Sequence, residues 1–242
     1  MIRGRERVST QVRMWLNYPY PNFPSKENLV GYWAFNEGTG TTAFDNSGNS
    51  NHGTLVNMEE ADWVDGVVGK CLDFDGVDEY VTIPNYYWAA DTDFAISFWV
   101  NFTTYNSYQN VLSTCSNTGG DDGWWVEFGT SRGFTVVSNS SIFLEDNVQS
   151  LAGLSTGEWY HIVIARSGTG TNNLKGYIDT VLFGQGSSNV AIGDITNPLL
   201  IGRYAAGYNS LWLNGKADEV RIYSTALTAS EIKALYDYPG GV

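Results

Sequence analysis

Positive charge is scarce in this chain: 13 Lys and Arg stand against 26 Asp and Glu in 242 residues, and charged residues make up only 16%, where roughly a quarter is usual. A protein that grips a phosphodiester backbone needs a basic face. No cluster of Lys or Arg occurs after the first thirteen residues, so a nucleic-acid partner is excluded. Long apolar runs are missing too. No stretch reaches the roughly eighteen continuous apolar residues of a spanning helix, which excludes membrane insertion by that route. Cysteine is limited to Cys71 and Cys115, too few for a disulfide framework. Both sit in apolar, strand-like runs (KCLDF and NVLSTCS), where a thiol packs as a small hydrophobe; two separate buried thiols are expected, a single bridge being the alternative. The first residues, MIRGRERVSTQVRMWLNYPYP, contain no apolar core and no small-residue cleavage site, so no secretory signal is read there.

What the chain does contain excludes disorder: 43% of residues are hydrophobic and 14% aromatic, including nine Trp and fifteen Tyr, enough for a substantial core. The 27 glycines fit many turns, and the length suits one β-sandwich. Charge is distributed unevenly. Residues 1–30 hold five basic residues (Arg3, Arg5, Arg7, Arg13, Lys26) against Glu6 and Glu27, whereas the remainder is strongly acidic. Val8, Val12 and Trp15 fall at helical spacing, and Pro19, Pro21 and Pro24 then enforce an extended tether. The expected division is a basic arm and Pro-rich tether over residues 1–28, followed by one domain over 29–242.

From Leu29 onward the chain reads as short strands with period-2 alternation, bounded by Gly, Asn, Asp and Ser. In FAISFWVNF, Phe94, Ile96, Phe98, Val100 and Phe102 share one face. Similar patterns occur in YVTIP, GWWVEFG, GFTVVS, EWYHIVIARS, LKGYIDTVLFG, NPLLIGRY and KADEVRIYS, and Asp75-Gly76 is a hairpin signal. One helix is expected, at the end: Thr228 is its N-cap, Glu231 completes a capping box, and Leu227 with Ile232 has the spacing of a hydrophobic staple. Many strands, one trailing helix and no βαβ alternation predict an all-β antiparallel jelly-roll sandwich.

Five ordered blocks carry a family resemblance: LVGYWAFNEGTGTTAFDNSGNSNHGTL, GVVGKCLDFDGVDEYVTIP, FAISFWVNF, EWYHIVIARSGTGTNNLKGYIDTVLFG and LLIGRYAAGYNSLWLNGKADEVRIYSTALTASEIKALY. Over residues 29–237 the chain resembles the concanavalin A-like lectin/glucanase superfamily, in particular its laminin G-like jelly-roll domains. It departs in GYIDTVL, where Asp179-Thr180 stands in a hairpin turn that is usually Asp-Gly, and at Cys71. The resemblance implies one structural Ca2+ where the first long loop meets the last strand. Calcium takes six to eight oxygen ligands; Asp45, Asn46, Asn49 and Asn51 in DNSGNSNHG and Asp218 in GKADEVRIY are the candidates, with Asp45, Asn51 and Asp218 foremost. The alternative is that the loop residues build Asx turns and Asp218 caps a loop.

The resemblance also implies carbohydrate binding, which requires aromatic platforms and polar partners on loops or on a sheet face. Tyr86, Trp88, Tyr105, Trp124, Tyr204 and Tyr208 are the foremost candidates. Tyr87 and Tyr108 complete the aromatic pool, and Asp121, Asp122 and Asn209 are the polar partners. Trp124 and Trp125 are adjacent in a strand, so one faces the core and the other faces out. The glucanase branch carries its two carboxylates on one strand as Glu-x-Asp-x-x-Glu, and that pattern does not occur here. Adjacent Asp218 and Glu219 alternate to opposite faces, and His161 reads as a core histidine. The reading is therefore a non-enzymatic carbohydrate-binding or adhesion module facing the outside of a cell or particle, with glycans as partners. The alternative is a decoration or appendage protein of a phage virion, whose residues 1–28 dock on capsid or tail proteins.

Overall fold

The computed structural model describes residues 22–84, 88–90, 93–104, 108–114, 124–129, 134–138, 141–145, 154–188, 192–195, 197–204 and 211–241. The strands in chain order are β1 (Leu29–Trp33), β2 (Thr42–Ala43), β3 (Gly53–Val56), β4 (Trp63–Asp65), β5 (Lys70–Asp75), β6 (Tyr80–Ile83), β7 (Trp88–Ala90), β8 (Phe94–Phe102), β9 (Gln109–Ser113), β10 (Trp124–Phe128), β11 (Phe134–Ser138), β12 (Ser141–Glu145), β13 (Trp159–Arg166), β14 (Gly170–Ile178), β15 (Val181–Ser188), β16 (Ile192–Ile195), β17 (Leu199–Ile201) and β18 (Asn214–Tyr223). Helix α1 (Ala229–Asp237) follows them.

Two antiparallel sheets face each other. The first runs β15-β14-β13-β8-β18-β5-β4, with β1 also pairing β18; the second runs β12-β11-β10-β9-β17-β6-β3-β2; β7 and β16 form a small ribbon. The alternation in FAISFWVNF places Phe94, Ile96, Phe98, Val100 and Phe102 in the shared core, together with Val81, Ile83, Trp124, Val126 and Phe128 of the second sheet. The outward face of the first sheet is not open to solvent. A second cluster lies there, in which Ala95, Val163, Ala165 and Tyr223 meet Leu227, Ile232 and Leu235 of the helix region. Thr228 caps α1 as expected, its Oγ1 accepting from the Glu231 amide at 3.3 Å while Glu231 accepts from the Thr228 amide at 2.8 Å. Phe23 packs on the same cluster and meets the Tyr238 ring edge-on at 6.2 Å, so the end of the Pro-rich tether rests beside α1. The remainder of the arm, residues 1–21, lies outside the described residues, as does Cys115; Cys71 is a buried free thiol.

Two turn expectations need comment. Asp75-Gly76 does not close a hairpin: β5 belongs to the first sheet and β6 to the second, so the turn carries the chain between layers. Asp75 Oδ1 accepts from the Val77 amide at 2.7 Å, and Gly76 supplies the left-handed φ of 80°. Asp179-Thr180 does close the β14–β15 hairpin, with φ of 47° and 73°. Both residues are left-handed, as a type I′ turn demands. Asp179 is tied down by its carboxylate, which accepts from the His161 amide at 2.8 Å. Thr180 is β-branched in a region that costs such residues roughly 1–2 kcal/mol. Thr180→Gly should therefore stabilise the domain by about 1 kcal/mol, read as a rise in the urea midpoint at unchanged slope; an unchanged or lower midpoint would refute the strain.

Candidate functional site

The outward face of the second sheet carries the candidate site. On β6, Val81 and Ile83 point into the core, so alternation turns Tyr80 outward. After β17 the chain reverses at Gly202, whose φ is 93° and where an added Cβ would lie 2.5 Å from the Phe74 ring; only glycine fits. The reversal lays Arg203 and Tyr204 back over the sheet, and the Ser113 hydroxyl secures it by donating to the Arg203 carbonyl at 3.0 Å. Arg203 then bridges to Trp212. The outcome is a cluster of three: the Arg203 guanidinium lies 4.6 Å from the Tyr80 ring centroid and 4.5 Å from that of Trp212, and the two rings, tilted by 47°, are themselves 6.0 Å apart. Beside it, Trp125 and Tyr204 meet edge to face at 5.0 Å, with Leu211 against them. Tyr80, Trp125, Arg203 and Trp212 are all half-buried. Each cation–π contact of this kind contributes about 0.5–1 kcal/mol, so the rings are held in place before any ligand arrives.

The sequence-predicted aromatics are distributed differently. Tyr204 belongs to this site, although it is 6% exposed and serves mainly to brace Trp125. Trp124 is 0% exposed and lies in the core between the sheets; it has no open ring face, and its neighbour Trp125 is the outward member of the pair. The backbone of Trp88 lies on β7 opposite Ile195. Tyr86, Tyr105 and Tyr208 lie outside the described residues. Tyr80, Trp125, Arg203 and Trp212 were missed as candidates. For Tyr80 the signal was present in the alternation of YVTI, but nothing local connects it to Arg203 and Trp212.

The proposed calcium ligands do not assemble into one set. Asp45 Oδ1 accepts from the amides of Tyr32 at 3.0 Å and Ser47 at 2.9 Å, and Oδ2 accepts from the Asn51 amide at 2.9 Å. The Asn51 side chain donates to the Val30 carbonyl at 3.0 Å, and its own carbonyl accepts from Trp33 Nε1 at 2.9 Å. This is an Asx-turn loop sewn to β1. Asp218 sits on the other side: β1 bridges Asp45 through Trp33 on one edge and pairs with β18 on the other, and Asp218 Oδ2 accepts from the amides of Val67 at 2.8 Å and Val68 at 3.3 Å. With β1 running between them, the three do not fit as common ligands of one ion. Among the described residues no group of three or more His, Cys, Asp or Glu is placed to hold a metal.

Asp218 and Glu219 do not alternate as a regular strand would make them. Ala217 and Val220 both point into the core, and the register of β18 against β8 shifts between Asp218 and Arg221. Glu219 takes a φ of 55°, and this bulge leaves both carboxylates on the outward side. Glu219 Oε2 accepts from the Tyr32 hydroxyl at 2.8 Å and from Arg221 Nη2, which also donates to the carbonyls of Pro239 and Gly241. His161, also buried on this face, contacts the Ser97 hydroxyl through Nε2 at 2.9 Å and stacks on Trp99 at 5.1 Å, with Tyr236 of α1 beside both rings, 5.5 Å from Trp99 and 6.1 Å from His161. Burial and the Arg221 charge push the His161 pKa down to about 3. Burial, with the negative charge of Glu219, pushes Asp218 up to about 7. These groups are a covered polar layer that fastens the C-terminal segment.

The face-to-face sheets define a concanavalin A-like jelly roll. The family model described as the concanavalin A-like lectin/glucanases superfamily (Laminin_G_3) matches residues 75–233, and the chain belongs to that superfamily. Domain 4 of AbnA, an extracellular arabinanase of Geobacillus stearothermophilus solved with arabinotriose, is similar with a TM-score of 0.65 at 18% identity, covering 86% of this chain and 98% of that one. The binding domain of Paraclostridial Mosquitocidal Protein 1 is similar with a TM-score of 0.66 at 20% identity, covering 87% of this chain and 52% of that one. Trypanosoma rangeli sialidase bound to sialic acid is similar with a TM-score of 0.68 at 18% identity, covering 98% of this chain but only 40% of the sialidase. No curated protein sequence matches the chain.

The two shifted groups act oppositely on stability. Asp218 is raised from 3.8 to about 7, so the stability it contributes is complete below pH 4 and is lost as pH rises towards 7. His161 is lowered from 6.5 to about 3, so its contribution is present above pH 6.5 and is lost as pH falls. Over pH 4–6.5 the two slopes offset one another. Relative to the native protein, Asp218→Asn should gain stability steadily as pH rises through this window, and His161→Gln should gain as it falls. Urea unfolding at pH 4.5 and 6.5 reads both; differences that do not change with pH would refute the assignment.

Proposed function

We propose that this protein is a non-enzymatic carbohydrate-binding module whose ligand rests on the outward face of the second sheet. The carrying observation is the set of half-buried rings Tyr80, Trp125 and Trp212, held by Arg203 and Tyr204 on a rigid sheet. Sugar sites need aromatic walls with a few fixed polar groups, and this face offers both. Tyr86, Trp88, Tyr105 and Tyr208 remain part of the proposal as further contacts. The arabinotriose in the similar arabinanase domain supports the reading. For a glycosidase, by contrast, a retaining mechanism needs two carboxyl groups about 5–5.5 Å apart flanking the bond, and the adjacent pair in this chain, Asp218 and Glu219, is fully buried. Gly129, Ser131 and Gly133 match a G-x-S-x-G string, but they join β10 to the antiparallel β11 rather than a strand to a helix.

A second reading, display on a phage particle through residues 1–28 contacting capsid or tail proteins, is compatible with the first. It is favoured by one observation: Phe23, at the end of the Pro-rich tether, packs on the outward side of the first sheet, opposite the aromatic face. We propose further that binding needs no calcium held jointly by Asp45, Asn51 and Asp218. In a glycan-array screen, Tyr80→Ala with Trp212→Ala should weaken binding by about tenfold or more, on the order of 1.4 kcal/mol, while the protein stays folded. Chelator and removal of residues 1–21 should leave sugar binding unchanged, and the truncation should abolish particle attachment. Full binding by the double variant would rule out this face.

A further inference from the structure

We propose that Arg203 is the recognition group for a carboxylate on the bound sugar, making the ligand an acidic glycan, sparsely carboxylated rather than neutral or densely sulfated. This rests on the carbohydrate-binding reading above and gives it a substrate class. The guanidinium lies 4.6 and 4.5 Å from the ring centroids of Tyr80 and Trp212, which adjoin each other at 6.0 Å, and its Nε donates to the Tyr204 carbonyl at 3.0 Å. Those contacts engage the two rings and Nε. The terminal Nη1 and Nη2 make no hydrogen bond or ion pair among the described residues. Arg221 shows the contrasting case: fully buried, its Nη2 is spent on Glu219 and two C-terminal carbonyls.

Arg203 is therefore a fixed, half-buried, planar cation with its outer fork unspent, in a chain of net charge −13 where cations are scarce. A fork of two parallel N–H groups matches a carboxylate in bidentate fashion, and a preorganised fork loses little entropy when it binds. The two adjoining rings also give a sugar carrying the carboxylate an apolar wall beside the fork. The overall negative charge repels polyanions at long range, which argues against heparin-like chains and for a ligand with one isolated carboxylate. Added salt screens that repulsion, so binding should hold or strengthen between low and physiological salt, opposite to the behaviour of a polyanion-binding protein.

The test uses the full chain on an array of neutral, carboxylated (uronic and sialic acid) and sulfated oligosaccharides, followed by titration of the best binder in each class. The native protein is expected to retain carboxylated members, with Arg203→Gln reducing their binding on the order of tenfold and reducing binding to neutral sugars by less, so that the carboxylate preference is lost. Arg203→Lys keeps a cation but removes the planar fork, and should still lose several-fold; it answers the question if the glutamine variant does not fold. Retention of neutral sugars alone, or an unchanged carboxylate preference in both variants, would overturn the acidic-ligand proposal while leaving sugar binding standing. Preference for sulfated members, weakening with salt, would also overturn it. Absence of binding to every glycan by the folded protein would overturn both readings.

Discussion

Strand β18 is the constraint on which the rest of this domain depends. It pairs with β8 along its length, while on its other edge it pairs first with β5 (Asn214 to Ala217) and then with β1 (Val220 to Tyr223). One strand cannot change partner without a break in register, and the break is the bulge at Asp218 and Glu219. The bulge has a chemical cost, since it leaves two carboxylates buried side by side. Two amides of the 67–68 turn receive Asp218, and the Tyr32 hydroxyl and Arg221 receive Glu219. Arg221 also lies 4.1 Å from the centroid of the Tyr32 ring and holds the last carbonyls of the chain. The junction of partners, the buried ion pair and the fastening of the C-terminal segment are thus one structure. Buried charges left without partners cost several kcal/mol, which is why the residues around the bulge are so closely engaged.

This arrangement also divides the molecule by face. The outward side of the first sheet is covered by α1 and the end of the tether, and its polar residues serve the fold. Among the described residues no helix lies over the outward side of the second sheet, and there the chain uses a glycine reversal to lay Arg203 and Tyr204 across the strands.

Much of the fold was legible in the residues. Phe94 to Phe102 alternates over nine positions, and a strand buried on the core side follows from that period alone. Thr228 and Glu231 announced the helix start because capping is a local event within four residues. The site was less legible. Trp124 and Trp125 are equally hydrophobic, and sequence says that they diverge without saying which turns inward; the facing layer decides. Asp75-Gly76 has the chemistry of a hairpin turn, yet the turn can as well pass between layers, since turn residues set the local dihedral angles and not the partner of the next strand. The Asp45 loop looks equally suited to oxygen ligation and to Asx turns, because both use the same side-chain oxygens; its convergence on β1 amides makes it a turn here.

By itself, the sequence determined the class of fold, the trailing helix and the superfamily, because each is expressed in periods and caps a few residues long. Only the tertiary structure decided that Tyr80, Arg203 and Trp212 form one cluster, that Asp218 and Glu219 share a side, and that Asp45 and Asp218 are kept apart by β1. The physical reason is the same in each case: strand pairing between distant segments sets these contacts, and a single bulge or glycine reversal changes which side chains meet without altering the local pattern that sequence displays.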